Sequence, residues 1–231
     1  MSTTPADPTA PESVRAAFGD WTPQAVVFDC DGLLLDTERV WMRAQDAVVA
    51  RIGAVLTPED DELLHGSTIE AAAEVLAARS GHPETAVLAQ LDEAFAAELD
   101  GGVTTMPGAP ETVRAAAAAR PLGCASNSWL ESLRDKLAAG GLLEHFTVLE
   151  ASDTVDRPKP APDMYAAAAR ALGVAPEDTL ALEDSGTGAQ AARDAGLRLI
   201  AVPTHLGSVP EADLVLGSLE DPALAAWIAT W

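Results

Sequence analysis

The sequence predicts an α/β fold: a parallel sheet covered by helices on both faces, with an all-helical segment inserted near its start. Two observations predict it. From Leu122 onward, short apolar runs alternate with helix-length segments, and parallel strands need crossovers of that kind. Between the first apolar run, Ala25–Phe28, and the second, Leu122–Ala125, the alternation stops, and the chain is rich in alanine and acids with no strand-like run.

The elements follow in order. Ala25–Phe28 is short, apolar and β-branched, the pattern of a strand buried on both faces, and it ends directly in Asp29. Residues 37–80 and 84–99 read as helical. Gly101-Gly102 and Pro107-Gly108 mark a return to the sheet region. A helix over 110–119 precedes the strand Leu122–Ala125. Helices are then predicted over 129–139, 162–172, 188–195 and 222–231, with Gly173 stopping the second of them. Strands are predicted over 146–149, 179–182, 198–202 and 214–216. The resulting division is a loose N-terminal tail over 1–20, a core over 21–36 and 102–231, and a helical cap over 37–101.

Composition narrows the function classes. A chain of 231 residues with 48% hydrophobic residues has enough apolar material for one large domain, or for a core with an insertion. Its net charge of −22 and pI near 4.2 repel nucleic acid and anionic membrane, so neither is expected as a partner, and favour a monomer. The same field repels phosphate esters, so a site for them needs a local metal ion or lysine. Cys30 and Cys124 lie in apolar runs and read as buried reduced thiols, which implies a cytoplasmic protein. The first twenty residues lack the basic and apolar regions of a signal peptide, and charges interrupt every long alanine run.

In open α/β sheets ligands bind beyond the carboxyl ends of the strands. The residues predicted there form a coherent set: Asp29 and Asp31, Ser126 and Asn127, Lys159 in the loop after the third strand, and Glu183 with Asp184. Asp29 and Asp31 are two apart on an extended segment, so their side chains point the same way. Two packed carboxylates do not both ionise cheaply, which favours one nucleophile and one proton carrier. Mg²⁺ suits an all-oxygen ligand set and would remove the repulsion between a carboxylate and a phosphate monoester. Lys159, flanked by Pro158 and Pro160, would neutralise another face of the phosphate. Ser126, at a strand end before a helix, offers a hydroxyl and nearby N–H groups. Each piece alone has a plainer explanation. Asp29 to Gly32 could be an Asx turn, Ser126 to Ser128 and Glu183 to Gly186 could be helix caps, and the Lys159 segment a solvated loop. Joint placement at successive strand ends favours the site.

These segments resemble the four motifs of the haloacid dehalogenase-like superfamily. Asp29-Cys30-Asp31-Gly32-Leu33-Leu34-Leu35-Asp36-Thr37-Glu38 is similar to the first and Ser126-Asn127 to the second. Lys159 in Arg157-Pro158-Lys159-Pro160-Ala161-Pro162-Asp163 is similar to the third, and Glu183-Asp184-Ser185 to the fourth. The resemblance implies a Rossmann-like core with an inserted α-helical cap, and an Mg²⁺-dependent phosphatase acting through an aspartyl-phosphate. Asp29 would be the nucleophile and Asp31 the general acid, then base. The metal would be held by Asp29, Asp184 and the main-chain carbonyl of Asp31, with Glu183 as a further candidate. Ser126, Asn127 and Lys159 would bind the phosphoryl group of a small phosphorylated metabolite.

Within the superfamily the chain is most similar to the group of β-phosphoglucomutase and the sugar-phosphate and phosphoglycolate phosphatases. The mutases carry a histidine five residues after the position of Asp36, where this chain has Trp41. They also place an arginine shortly after a cap glycine, and the segment Gly66-Ser67-Thr68-Ile69-Glu70 has none. Both departures favour a phosphatase over a phosphomutase. A non-catalytic binding module is disfavoured by the complete set of acids, lysine and hydroxyl. Trp41, His65 and Ser67 are the candidates for substrate contacts from the cap.

Overall fold

The computed structural model describes residues 11–64, 69–204 and 210–231. Ala25–Phe28 (β1) is buried along its whole length. A strand without a polar side belongs in the middle of a covered sheet. It pairs in parallel with Leu122–Ala125 (β2) on one side and, on the other, with Thr179–Glu183, so that Val27 lies opposite both Gly123 and Ala181. With Val148–Glu150 (β3) outside β2, Thr179–Glu183 becomes β4, followed outward by Arg198–Ala201 (β5) and the short edge Leu214–Val215 (β6). The sheet order is β3-β2-β1-β4-β5-β6, all parallel, a Rossmann-like arrangement as predicted. The chain order reverses at β1, which directs a ligand to the carboxyl ends of β1, β2 and β4.

The helices, in chain order, are Glu12–Phe18 (α1), Thr37–Ile52 (α2), Pro58–Leu64 (α3), Ile69–Ser80 (α4), Glu84–Asp100 (α5), Ala109–Ala119 (α6), Leu130–Ala139 (α7), Asp163–Ala171 (α8), Gly186–Asp194 (α9) and Pro222–Ile228 (α10). Small residues bring α8 and α9 close to the sheet. Ala168, Ala191 and Ala192 are buried in one cluster with Val27 and Ala181, and a Cβ on Gly123 would press on Leu172. None of the described helices is long and apolar enough to cross a membrane.

The chain divides into two compact units, Met1–Leu35 with Thr105–Trp231, and Asp36–Thr104. The second consists of α2 to α5. Its core is read directly from helical spacing: Ala44, Val48 and Ile52 from α2 meet Val87, Leu91 and Ala94 from α5, with Ala72, Ala73 and Leu76 from α4. Thr57 and Asp60 form a reciprocal cap at the start of α3. Arg79 bonds the same Asp60 carboxylate and holds it low, at about 2.

One expectation is corrected. Residues 12–18, assigned to a loose tail, form α1. Pro and acidic residues hid the pair Val14 and Phe18, four apart on one helical face, and both are buried. The Phe18 ring stacks on Trp227 of α10 at 4.9 Å, and Trp21 and Trp231 complete the aromatic cluster. This contact stabilises a helix too short to form alone.

Candidate active site

Asp29 extends the β1 ladder by one residue, its N–H donating to the Leu182 carbonyl at 3.0 Å. The sheet therefore sets the position of this side chain, which is 7% exposed. Lys159 Nζ donates to Asp29 Oδ1 at 2.6 Å, to Glu183 Oε1 at 2.5 Å and to the Ala125 carbonyl at 2.9 Å. Tyr165 donates to the same Glu183 oxygen at 2.9 Å. Glu183 Oε2 accepts from the N–H groups of Asp184 and Ser185 and from the Ser185 hydroxyl. The fully buried Glu183 is thus bound at both oxygens. It anchors Lys159 beneath Asp29, and this closes the site from below. No side chain fits at Gly188, since a Cβ there would run into the Glu183 carboxylate.

Asp31 faces a different set of groups. Its Oδ1 accepts from Lys136 Nζ at 2.6 Å, and its Oδ2 from the hydroxyls of Ser126 at 2.8 Å and Ser128 at 3.2 Å. Lys136 Nζ also donates to Ser128 Oγ at 2.6 Å. The turn that carries Asp31 needs a glycine next. Gly32 has φ +85°, and a Cβ on it would strike the Asp184 carboxylate.

Asp29, Glu183 and Asp184 offer carboxylate oxygens that lie within 4.8 Å of one another. Burial pushes the Asp29 carboxyl well up, Lys159 opposes this, and Glu183, Asp184 and Asp31 reinforce it. Burial likewise raises Asp184 to about 6, although Thr204 donates to its Oδ2 at 2.7 Å. Lys159 stays charged because Asp29 and Glu183 outweigh its own burial. With all four acids ionised, Asp29, Asp31, Glu183 and Asp184 face two ammonium groups, Lys136 and Lys159, an excess of two negative charges that the raised proton affinities of Asp29 and Asp184 oppose. A divalent cation with oxygen ligands fits both this charge excess and this donor set.

The site residues read from sequence therefore meet at one sheet edge, with refinements. The Ser126 hydroxyl is turned to Asp31. The Asn127 amide, expected on phosphate, instead clamps the main chain of Lys159, donating to its carbonyl at 3.1 Å and accepting from its N–H at 2.9 Å. That clamp delivers the lysine to Asp29. The Asp31 carboxylate lies outside the close cluster of three acids, held instead by Lys136 and the two serine hydroxyls. Trp41 packs edge-on against Phe95 inside the helical unit, at 6.0 Å. His65 and Ser67 lie outside the described residues.

Sequence reasoning missed Lys136, Tyr165 and Thr204, and took Ser128 only as part of a helix cap. For Lys136 a signal existed. It shares the buried stripe of α7 with Leu133 and Leu137, where a cation is out of place unless it has an acidic partner. Tyr165 resembled any aromatic residue of a buried helix face.

A family model for haloacid dehalogenase-like hydrolases matches residues 23–196. Validoxylamine A 7'-phosphate phosphatase of Streptomyces hygroscopicus is 31% identical over 206 residues, spanning 86% of this chain and 95% of that protein. Hexitol phosphatase B of Escherichia coli is 31% identical over 185 residues, spanning 78% and 83%. The crystal structure of CbbY from Rhodobacter sphaeroides in complex with phosphate superposes with a TM-score of 0.73 at 30% identity, covering 87% of this chain and 96% of that one. The chain belongs to the haloacid dehalogenase-like hydrolase family and is a phosphoric monoester hydrolase.

Proposed function

We propose that this protein is an Mg²⁺-dependent phosphatase of a small phosphorylated metabolite, a sugar phosphate or similar monoester, working through an aspartyl-phosphate on Asp29. The observation that carries the reading is the fixed, buried Asp29 between Lys159 and the carboxylates of Glu183 and Asp184. Phosphatases among the relatives support the substrate class.

Asp29 Oδ attacks phosphorus, and the bond to the leaving oxygen breaks as Asp31 gives that oxygen a proton. Water then attacks the phosphorus of the aspartyl-phosphate, Asp31 takes its proton, and Asp29 is released with inorganic phosphate. Lys159 holds Asp29 in place and neutralises the transferring group. Mg²⁺, held by Asp29, Asp184 and the Asp31 carbonyl with Glu183 adjacent, would offset repulsion between nucleophile and phosphate. Asp36–Thr104 acts as the cap that selects the leaving group, with Trp41, His65 and Ser67 as its candidate substrate contacts. The acidic chain works as a monomer in the cytoplasm, without nucleic acid or membrane partners.

The test is phosphate release across sugar phosphates, phosphoglycolate and nucleoside monophosphates, with Mg²⁺ and with chelator. The expected result is metal-dependent release from at least one class, and a loss of about 10⁴-fold or more in Asp29→Asn. Normal turnover by that variant would sink the nucleophile assignment. Conversion of β-glucose 1-phosphate to the 6-phosphate would make the protein a mutase, and no release from any substrate would leave a binding module.

A further inference from the structure

Lys136 has no part in the family motifs read from the sequence, yet it is placed like a functional group. It is 5% exposed, on the α7 face that otherwise presents Leu133 and Leu137 to the core. Burying an ammonium there is costly unless it is paired, and an aliphatic residue of similar volume would serve the packing as well. Its partners explain its presence. The ammonium meets Asp31 Oδ1 and the Ser128 hydroxyl, both at 2.6 Å, and that hydroxyl reaches the other Asp31 oxygen at 3.2 Å. The two oxygens of one carboxylate are thus held from two sides, Oδ1 by the lysine and Oδ2 by the bridging Ser128 hydroxyl together with the Ser126 hydroxyl at 2.8 Å. Such a two-point hold fixes the rotation of the carboxylate as well as its position. Charge keeps the hold in place: burial disfavours the ammonium, and Asp31, Cys30 and Asp29 together outweigh it. Asp29 has its own lysine in Lys159, so Lys136 works on the second aspartate.

We propose that Lys136, with Ser128, is the positioning residue of proton transfer, orienting the Asp31 carboxyl group towards the leaving-group oxygen. The assignment rests on the role given to Asp31 above. It makes a prediction that a merely structural lysine does not. A sugar or other alkyl phosphate expels an alkoxide that must be protonated as it leaves, whereas p-nitrophenolate departs as a stable anion. For both substrates, kcat/KM covers the steps up to departure of the leaving group.

The experiment measures kcat/KM of the wild type, Lys136→Met, Lys136→Arg and Ser128→Ala on the best alkyl phosphate and on p-nitrophenyl phosphate, with melting temperatures alongside. In Lys136→Met the alkyl-to-aryl ratio is expected to fall on the order of 10²-fold, the usual scale of a lost general acid. Arginine should restore part of it, and Ser128→Ala should shift the ratio in the same direction by less. Equal losses on both substrates overturn the proposal. If Lys136→Met does not fold, an unchanged ratio in Ser128→Ala overturns it instead. A wild type inactive on both substrates refutes the phosphatase reading, and the Lys136 assignment falls with it.

Discussion

Asp29 and Asp31 stand two residues apart on one loop, yet the structure treats them differently. The Asp29 side chain is 10% exposed and its lysine 3%, and that lysine is shared with the buried Glu183. The Asp31 side chain is 33% exposed, and its lysine comes from a helix, with serine hydroxyls completing the shell. Asp29 is tied into the sheet ladder, whereas Asp31 lies in the turn that follows. The difference matches the two roles. A nucleophile gains from a fixed position in a preorganised ionic setting, whereas a proton carrier must be reached by the leaving group and by water.

Removing each lysine in turn breaks this comparison most directly. Lys159→Met leaves Asp29 and Glu183 facing each other without a cation, and should cost about 3–5 kcal/mol in unfolding free energy by denaturant titration. Lys136→Met strands one carboxylate that water already reaches, so its cost should be clearly smaller. Equal costs would mean that the two pairs are not different in kind.

Gly188→Ala tests the anchor beneath Asp29 without touching any charge. The new methyl group must displace the Glu183 carboxylate, so stability should fall by about 1–3 kcal/mol and turnover should fall with it. Wild-type turnover would show that Glu183 need not stay where it is.

The smallest expected effect concerns pH. Asp184 in the metal-free protein has its pKa raised from 3.8 to about 6. The folded state therefore binds this proton more tightly than the unfolded state does. The resulting stabilisation is fully present below about pH 4 and is lost as pH rises through about 6. In EDTA the melting temperature should decline over that window, and Asp184→Asn should flatten the decline. An identical slope in the variant would remove Asp184 as its source. Mg²⁺ competes with the same proton, so the concentration needed for half-maximal activity should rise below pH 6.

Much of this was legible in one dimension. The sheet shows itself because buried parallel strands leave short apolar runs, and each run ends on the residue that the sheet presents at its edge. The sequence also marked Gly32, whose left-handed backbone, next to Asp184, explains a glycine after Asp31. It concealed α1, because Val14 and Phe18 acquire a partner only when α10 arrives from the far end of the chain. Asn127 was placed in the right neighbourhood, but its clamp on Lys159 links residues 32 apart.

By itself, then, the sequence determined the sheet, its helical insertion and the acidic edge built around Asp29, because these depend on local periodicity and on residues at strand ends. Tertiary structure alone decided how the acids divide the cations. Lys136 reaches Asp31 across 105 residues and Lys159 reaches Asp29 across 130. Nothing in the neighbourhood of a lysine along the chain says which carboxylate folding will bring within 2.6 Å of it.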